Sequence, residues 1–198
     1  MLRQLAFVAA LAVTAAAQTT ATSDAPTYTT DGKLNVPANY REWIYLTSGI
    51  DMTYTQPTSA TNAPPAHSIF DNVFVNPTAY RSFLQTGTWP DKTTMILEVR
   101  TAENPVSINK TGHTQSANVL RTEVHVKDKN EWSFYVGGKP GGNPASLVPK
   151  TASCYTCHQA HGAVDTTFTQ FYPTLLPIAT DKKTLSKEYL AEQAEPAK

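Results

Sequence analysis

Both cysteines of this 198-residue chain fall in one five-residue box, Cys154-Tyr155-Thr156-Cys157-His158. Whatever the rest of the chain does, it must present these side chains together. Cys-x-x-Cys-His is the attachment signature of c-type haem. Two thiols three positions apart can each add to one haem vinyl group, and the adjacent imidazole then stands under the iron as proximal ligand. Two other readings share the spacing. A redox disulfide of the thioredoxin type also uses Cys-x-x-Cys. A structural zinc needs four ligands, and without a second Cys pair His158 and His161 would have to complete the set from one short segment. The His directly after the second Cys, together with an export signal, favours haem.

That signal occupies residues 1–17. It has a basic Arg3, an apolar run over 5–13 and a small-residue end, Ala15-Ala16-Ala17, before Gln18. This is the pattern of a cleaved secretory signal peptide. The run is shorter than the roughly 20 residues that span a bilayer, and no other long apolar stretch follows. No membrane span is therefore expected after cleavage, and the expected location is periplasmic, since c-type haem is attached outside the cytoplasm. Residues 18–28 are rich in Thr, Ser and Ala and read as a disordered leader. A single haem domain is expected over 29–180, with a charged tail over 181–198 carrying a short surface helix. The charges balance, and losing Arg3 leaves one net negative charge, so nothing points to nucleic acid.

The middle of the chain is strand-rich. Residues 93–100 form a β-rich run. Over 118–127, Val119, Arg121, Glu123 and His125 fall on one face, and Leu120, Thr122, Val124 and Val126 on the other. Glu-Trp-Ser-Phe-Tyr-Val over 131–136 is a third strand. The glycine-rich stretch 137–142 breaks the chain. Helices are expected over 37–43, over 77–86 with Asn76 as N-cap, Pro77 at N1 and Gly87 as terminator, and from the Cys box through His161. The expected class is α+β, an antiparallel β-sheet flanked by helices with a C-terminal haem-attachment segment. A four-helix cytochrome is excluded, because it would show 3.6-residue periodicity throughout.

In order, Asp31-Gly32-Lys33-Leu34, Pro37-Ala38-Asn39-Tyr40-Arg41-Glu42-Trp43, Phe70-Asp71-Asn72-Val73-Phe74-Val75-Asn76-Pro77, Thr86-Gly87-Thr88-Trp89-Pro90-Asp91, a strand ending in Glu98, and the Cys box followed by His161, Asp165 and Phe168-Thr169-Gln170-Phe171-Tyr172-Pro173 resemble the cytochrome P-460 and cytochrome c′-β family. The resemblance implies a homodimer and one five-coordinate haem c, with Cys154 and Cys157 as thioether attachments and His158 as proximal ligand. It also implies an open iron face that takes nitric oxide or hydroxylamine. Relatives of the P-460 type oxidise hydroxylamine and carry a lysine, followed by Glu, joined to the haem edge; here that register holds Leu97 before Glu98. Lys92 lies five positions earlier, an odd offset that places it on the other strand face. Leucine has no nucleophilic nitrogen, so the cross-link is not expected.

No methionine follows His158. Met52 and Met95 lie upstream, and Met95 reads as core. His67 in a Pro-rich loop, His113 beside Gly112 and His125 between Glu123 and Lys127 read as solvated, and His161 as a surface or hydrogen-bonding residue. A largely apolar distal pocket without a strong sixth ligand is the expectation. Glu98 is the candidate catalytic carboxylate, with Glu123 behind it, against the alternative that each pairs with Arg100 or Arg121. Arg121 is a candidate partner of a haem propionate. Three functions follow in order: binding of nitric oxide, turnover of hydroxylamine or peroxide with a soluble electron-transfer partner, and simple electron carriage.

Overall fold

The computed structural model describes residues 23–54 and 68–195. The expected signal peptide, residues 18–22 of the expected leader, His67 and the last three residues lie outside them. Thr27–Tyr28 (β1), the end of the expected leader, pairs antiparallel with Leu34–Asn35 (β2).

Six further strands form one antiparallel sheet in chain order: Ile44–Ile50 (β3), Ile69–Val75 (β4), Thr94–Glu103 (β5), Thr114–Asp128 (β6), Glu131–Val136 (β7) and Ser146–Leu147 (β8). Strand side chains alternate between faces, and here both faces are covered. Val75 and Met95 point to one face with Trp132 and Phe134, where Ala79, Phe83, Trp89, Tyr172, Leu175 and Ala179 close over them. Phe74, Ile96, Val124, Val126 and Tyr135 point to the other, beneath Leu34, Val36, Tyr40, Trp43 and Ala145. The first face carries the helices Pro77–Thr86 (α1), Ser153–His161 (α2) and Leu176–Lys182 (α3). Lys187–Ala194 (α4) follows, and Ser186 caps it by accepting a hydrogen bond from Tyr189 N. No helix among the described residues is long and apolar enough to cross a membrane.

The expected strands over 93–100, 118–127 and 131–136 are present as β5, β6 and β7, and α1 has the expected bounds. Asn76 sits at its start without capping it; its Oδ1 accepts from Thr94 N (2.8 Å) and its Nδ2 donates to Lys92 O (3.3 Å), tying α1 to β5. Gly87 ends α1 at φ +73° and donates to Phe83 O (2.8 Å). A Cβ there would stand 2.7 Å from Lys182 Cβ. Gly87→Ala is therefore expected to cost about 1–2 kcal/mol, from the left-handed backbone alone, read as a lowered denaturation midpoint.

The helix expected over 37–43 is only a 3-10 turn, Tyr40–Glu42. Tyr40 and Trp43 both plunge into the core and β3 starts at Ile44, which leaves no length for an α-helix. The tail helix is present as α4, whereas α3 has no counterpart among the expected helices.

Candidate functional site

Helix α2 carries the Cys box. Cys154, Cys157 and His158 stand at i, i+3 and i+4, which share one helix face, and all three are half-buried while Thr156 and Gln159 face water. Both cysteines are free thiols. His158 looks into a cavity of about 290 Å³ between α2 and the sheet, near the lower end of the range for cofactor and ligand pockets, about 300–1,000 Å³.

The imidazole is oriented by a hydrogen bond from Nδ1 to the Thr166 carbonyl at 2.8 Å. A carbonyl only accepts, so Nδ1 carries the proton and Nε2 keeps its lone pair. Burial lowers the His158 pKa, opposed by the Thr166 hydrogen bond and by Glu123; the neutral ring is the form that ligates a metal. Thr166 is itself placed by a turn in which Asp165 and Thr166 both have positive φ. Lys127 pins that turn, donating to Asp165 Oδ2 (2.7 Å) and to Trp89 O (2.8 Å). Phe168 stacks on the imidazole at 4.2 Å, and Phe134 packs on it at 4.8 Å.

The sheet wall follows from alternation. Thr47 and Gly49 of β3, Asp71 and Val73 of β4, Met95 and Leu97 of β5, and Glu123 and His125 of β6 all line the cavity. Val73 pairs with Leu97, and Leu97 with Glu123, in one row across three strands. Leu97 thus presents its side chain to the cavity.

Glu98, the neighbour of Leu97, points the other way. It is completely buried on the opposite face, where it accepts from Arg41 (2.6 Å), Arg100 (2.6 Å), Tyr40 and Asn72 (3.2 Å). Burial alone would raise its carboxyl, but the hydrogen bonds from Arg100, Tyr40 and Arg41 outweigh it and hold the pKa at about 2. The expectation of Glu98 as the catalytic carboxylate is corrected: it is an ionised anchor beneath the sheet. Its partner is Arg100, as the alternative reading had it, in the interior rather than at a solvated surface.

His125 is corrected in the opposite direction. Its face is the cavity face, not a solvated one, because Lys127 is buried on Asp165 and Trp89. His125 stacks on Phe134 at 3.9 Å and meets His158 edge-on at 4.9 Å. Burial, and next the neighbouring His158, push its pKa down to about 3, so it stays neutral. His161 does reach the surface, where Nδ1 faces Glu192 (3.2 Å), and His113 is exposed with Nδ1 near Glu103 O (3.2 Å).

The cavity is not as apolar as expected. Asp71, Tyr54, Arg121 and Glu123 join its aromatic and aliphatic lining. Arg121 donates to Glu123 at 3.0 Å with half its side chain in water, within reach of an anion at the cavity mouth. Met52 also lines the cavity; a Cβ on Gly49 would collide with its sulfur, so the glycine makes room for the thioether. Met95 is buried as expected, 3.9 Å from the Tyr172 hydroxyl. Asp71 and Met52 went unassigned at the cavity, although the alternation Ile69, Asp71, Val73 was the signal for Asp71.

A haem fits these residues. The thiols are reduced and on one helix face, the imidazole is neutral and its Nε2 has no hydrogen-bond partner among the described residues, and aromatic rings and apolar strand residues can cover a macrocycle. A helix-borne Cys-x-x-Cys-His box beside such a cavity defines a c-type cytochrome. The family described as Cytochrome P460 matches residues 37–169, two thirds of the chain, and the chain belongs to that family. Membership implies haem c as the cofactor. No curated relative matches the chain.

Proposed function

We propose that the protein is an exported, periplasmic, mono-haem c-type cytochrome that binds a small nitrogen ligand, nitric oxide first, at an open iron face. In this reading Cys154 and Cys157 form the thioethers and His158 supplies Nε2 as proximal ligand. When bound, the haem supplies an iron able to take one small ligand. Thr166, Phe168 and Phe134 hold the imidazole, and Arg121 answers a propionate. The protein acts as a homodimer.

The observation that carries the reading is Leu97 on the cavity wall. The position has no amine with which to bond the haem edge, and the electronics that a cross-link would add are absent with it. His125 belongs to the packing around His158, since it meets that ring edge-on.

A second reading, turnover of hydroxylamine with release of electrons to a soluble partner, is favoured by the two carboxylates on the cavity wall. Titration of the reduced holoprotein with nitric oxide is expected to give a saturable spectral change. Hydroxylamine with an artificial acceptor is expected to give at most slow turnover. Rapid multiple turnover would replace the first reading with the second.

A further inference from the structure

The turn that holds His158 runs against its own backbone preference. Asp165 and Thr166 stand at φ +50° and +61°, the left-handed region that disfavours residues with a Cβ. For a β-branched residue such as Thr166 that conformation is a true outlier. Such strain persists only where the surroundings over-determine it, and it clusters at functional sites. Thr166 is the residue whose carbonyl accepts the Nδ1–H of His158 at 2.8 Å.

The turn is clamped from two sides. Lys127 of β6 donates to Asp165 Oδ2 (2.7 Å) and to Trp89 O (2.8 Å). The same Trp89 donates from its indole Nε1 to Thr167 Oγ1 (3.0 Å), and that hydroxyl donates to Val164 O (2.6 Å). On the other side, Gly162 lets the turn lie against the end of α2. Its φ of −67° suits any residue, but a Cβ there would stand 2.5 Å from Thr166 C and 2.7 Å from His158 O. Lys127 is only 5% exposed, and a buried ammonium is costly unless paired. Stability alone does not call for the pair, because apolar residues of like volume often serve as well or better. The charge sits where it fixes one carbonyl.

We infer that Lys127 is a positioning residue for the iron: through the Asp165–Thr166 turn it sets how strongly His158 donates to the metal. The inference rests on the reading that His158 Nε2 ligates a haem iron. A hydrogen bond from Nδ1–H to a carbonyl raises the basicity of a ligating imidazole, and it weakens steeply when the carbonyl is misaimed. A more basic imidazole favours ferric iron over ferrous. Lys127 is not among the residues that line the cavity; its route to the iron is the turn.

The test compares holoprotein of wild type, Lys127→Met and Gly162→Ala by the iron–histidine stretching frequency of the ferrous state and by reduction potential. Lys127→Met removes the tether and leaves Asp165, whose side chain is 34% exposed, free to meet water. Gly162→Ala pushes the turn off α2 and changes no charge. Both are expected to lower the stretching frequency and raise the potential, moving the ferrous-to-ferric ratio at fixed poise about tenfold toward ferrous, the low end of what such outer partners are worth. Loss of the Lys127 charge by itself would move the potential the other way, so a shared direction marks the turn. Lys127→Arg, which can still bond Asp165, should return both readouts most of the way to wild type. Should Lys127→Met not fold, Asp165→Asn weakens the same tether at a backbone that Asn tolerates, and its stretching frequency should fall likewise. A folded Lys127→Met with a lowered denaturation midpoint but the wild-type frequency and potential would leave Lys127 as a support for the fold only and overturn the inference. So would a frequency that Gly162→Ala leaves unchanged. If wild type shows the iron–histidine stretch and the variants match it, only the role of Lys127 falls. If wild type shows no such stretch, the proximal assignment of His158 falls and takes this inference with it.

Discussion

Glu98→Ala is expected to destabilise the protein by about 3–5 kcal/mol, the usual cost of removing one partner from a buried charge network. Arg100 is the reason. Its side chain is only 12% exposed and donates through Nε and Nη2 to Glu98, while Nη1 caps the carbonyls of Ser116 and Ala117. Without the carboxylate, a buried guanidinium keeps its charge and loses its anion. Arg41 softens the loss, since its side chain is 54% exposed and can turn to water, so the lower end of the range is expected. Glu98→Gln should fall between wild type and alanine, keeping the volume and part of the hydrogen bonding.

The pH dependence has a fixed sign. The Glu98 carboxyl is held at about 2 against an ordinary 4.5. A depressed carboxyl contributes stability that is present above its ordinary value and is lost as pH falls through the folded one. The gap between wild type and Glu98→Gln should therefore be full at neutral pH and close between about 4.5 and 2. Denaturant midpoints at several pH values measure it. Spectra of properly loaded Glu98→Gln should match wild type, because Glu98 does not reach the cavity; an altered spectrum in a stably folded variant would contradict this placement.

The second large effect is at the haem box. Serine at both Cys154 and Cys157 is expected to abolish covalent haem, so that acidified organic solvent extracts the whole cofactor and the intact mass falls to that of the polypeptide. Either single replacement should leave one thioether and a shifted reduced spectrum. His158→Ala should keep the covalent mass and lose the proximal ligand, visible as a changed spin state. Retention of covalent haem by the double serine variant would sink the assignment of these thiols.

Much of this was legible in advance because the signals were local. Pro77 and Gly87 bracket α1, the aromatic run marks β7, and the Cys box fixes the chemistry of α2. The orientation of β5 was not. Leu97 and Glu98 alternate, but both faces of this sheet are buried, so polarity does not say which face holds the cavity. The cover of the second face comes from Leu34, Val36, Tyr40 and Trp43, far away in sequence. His125 was misread for a related reason. Glu123 and Lys127 look like a wet face, yet the Lys127 ammonium is neutralised by Asp165, 38 residues away. Asp71 was overlooked because a lone acidic residue in a strand gives no hint that one of its oxygens is hidden with no hydrogen-bond partner among the described residues.

On the proposed reading, the haem is bonded to the chain by two thioethers with no further covalent cross-link, and its iron, with His158 on one side, is open on the other. Absorption of the ferrous protein, with its intact mass, tests this reading most directly. The expected mass is that of the polypeptide plus one haem, and the expected spectrum is an ordinary c-type, high-spin one that changes on nitric oxide. The red-shifted band of a cross-linked haem would contradict it. So would a low-spin spectrum indifferent to nitric oxide, which would point to Met52 as a sixth ligand.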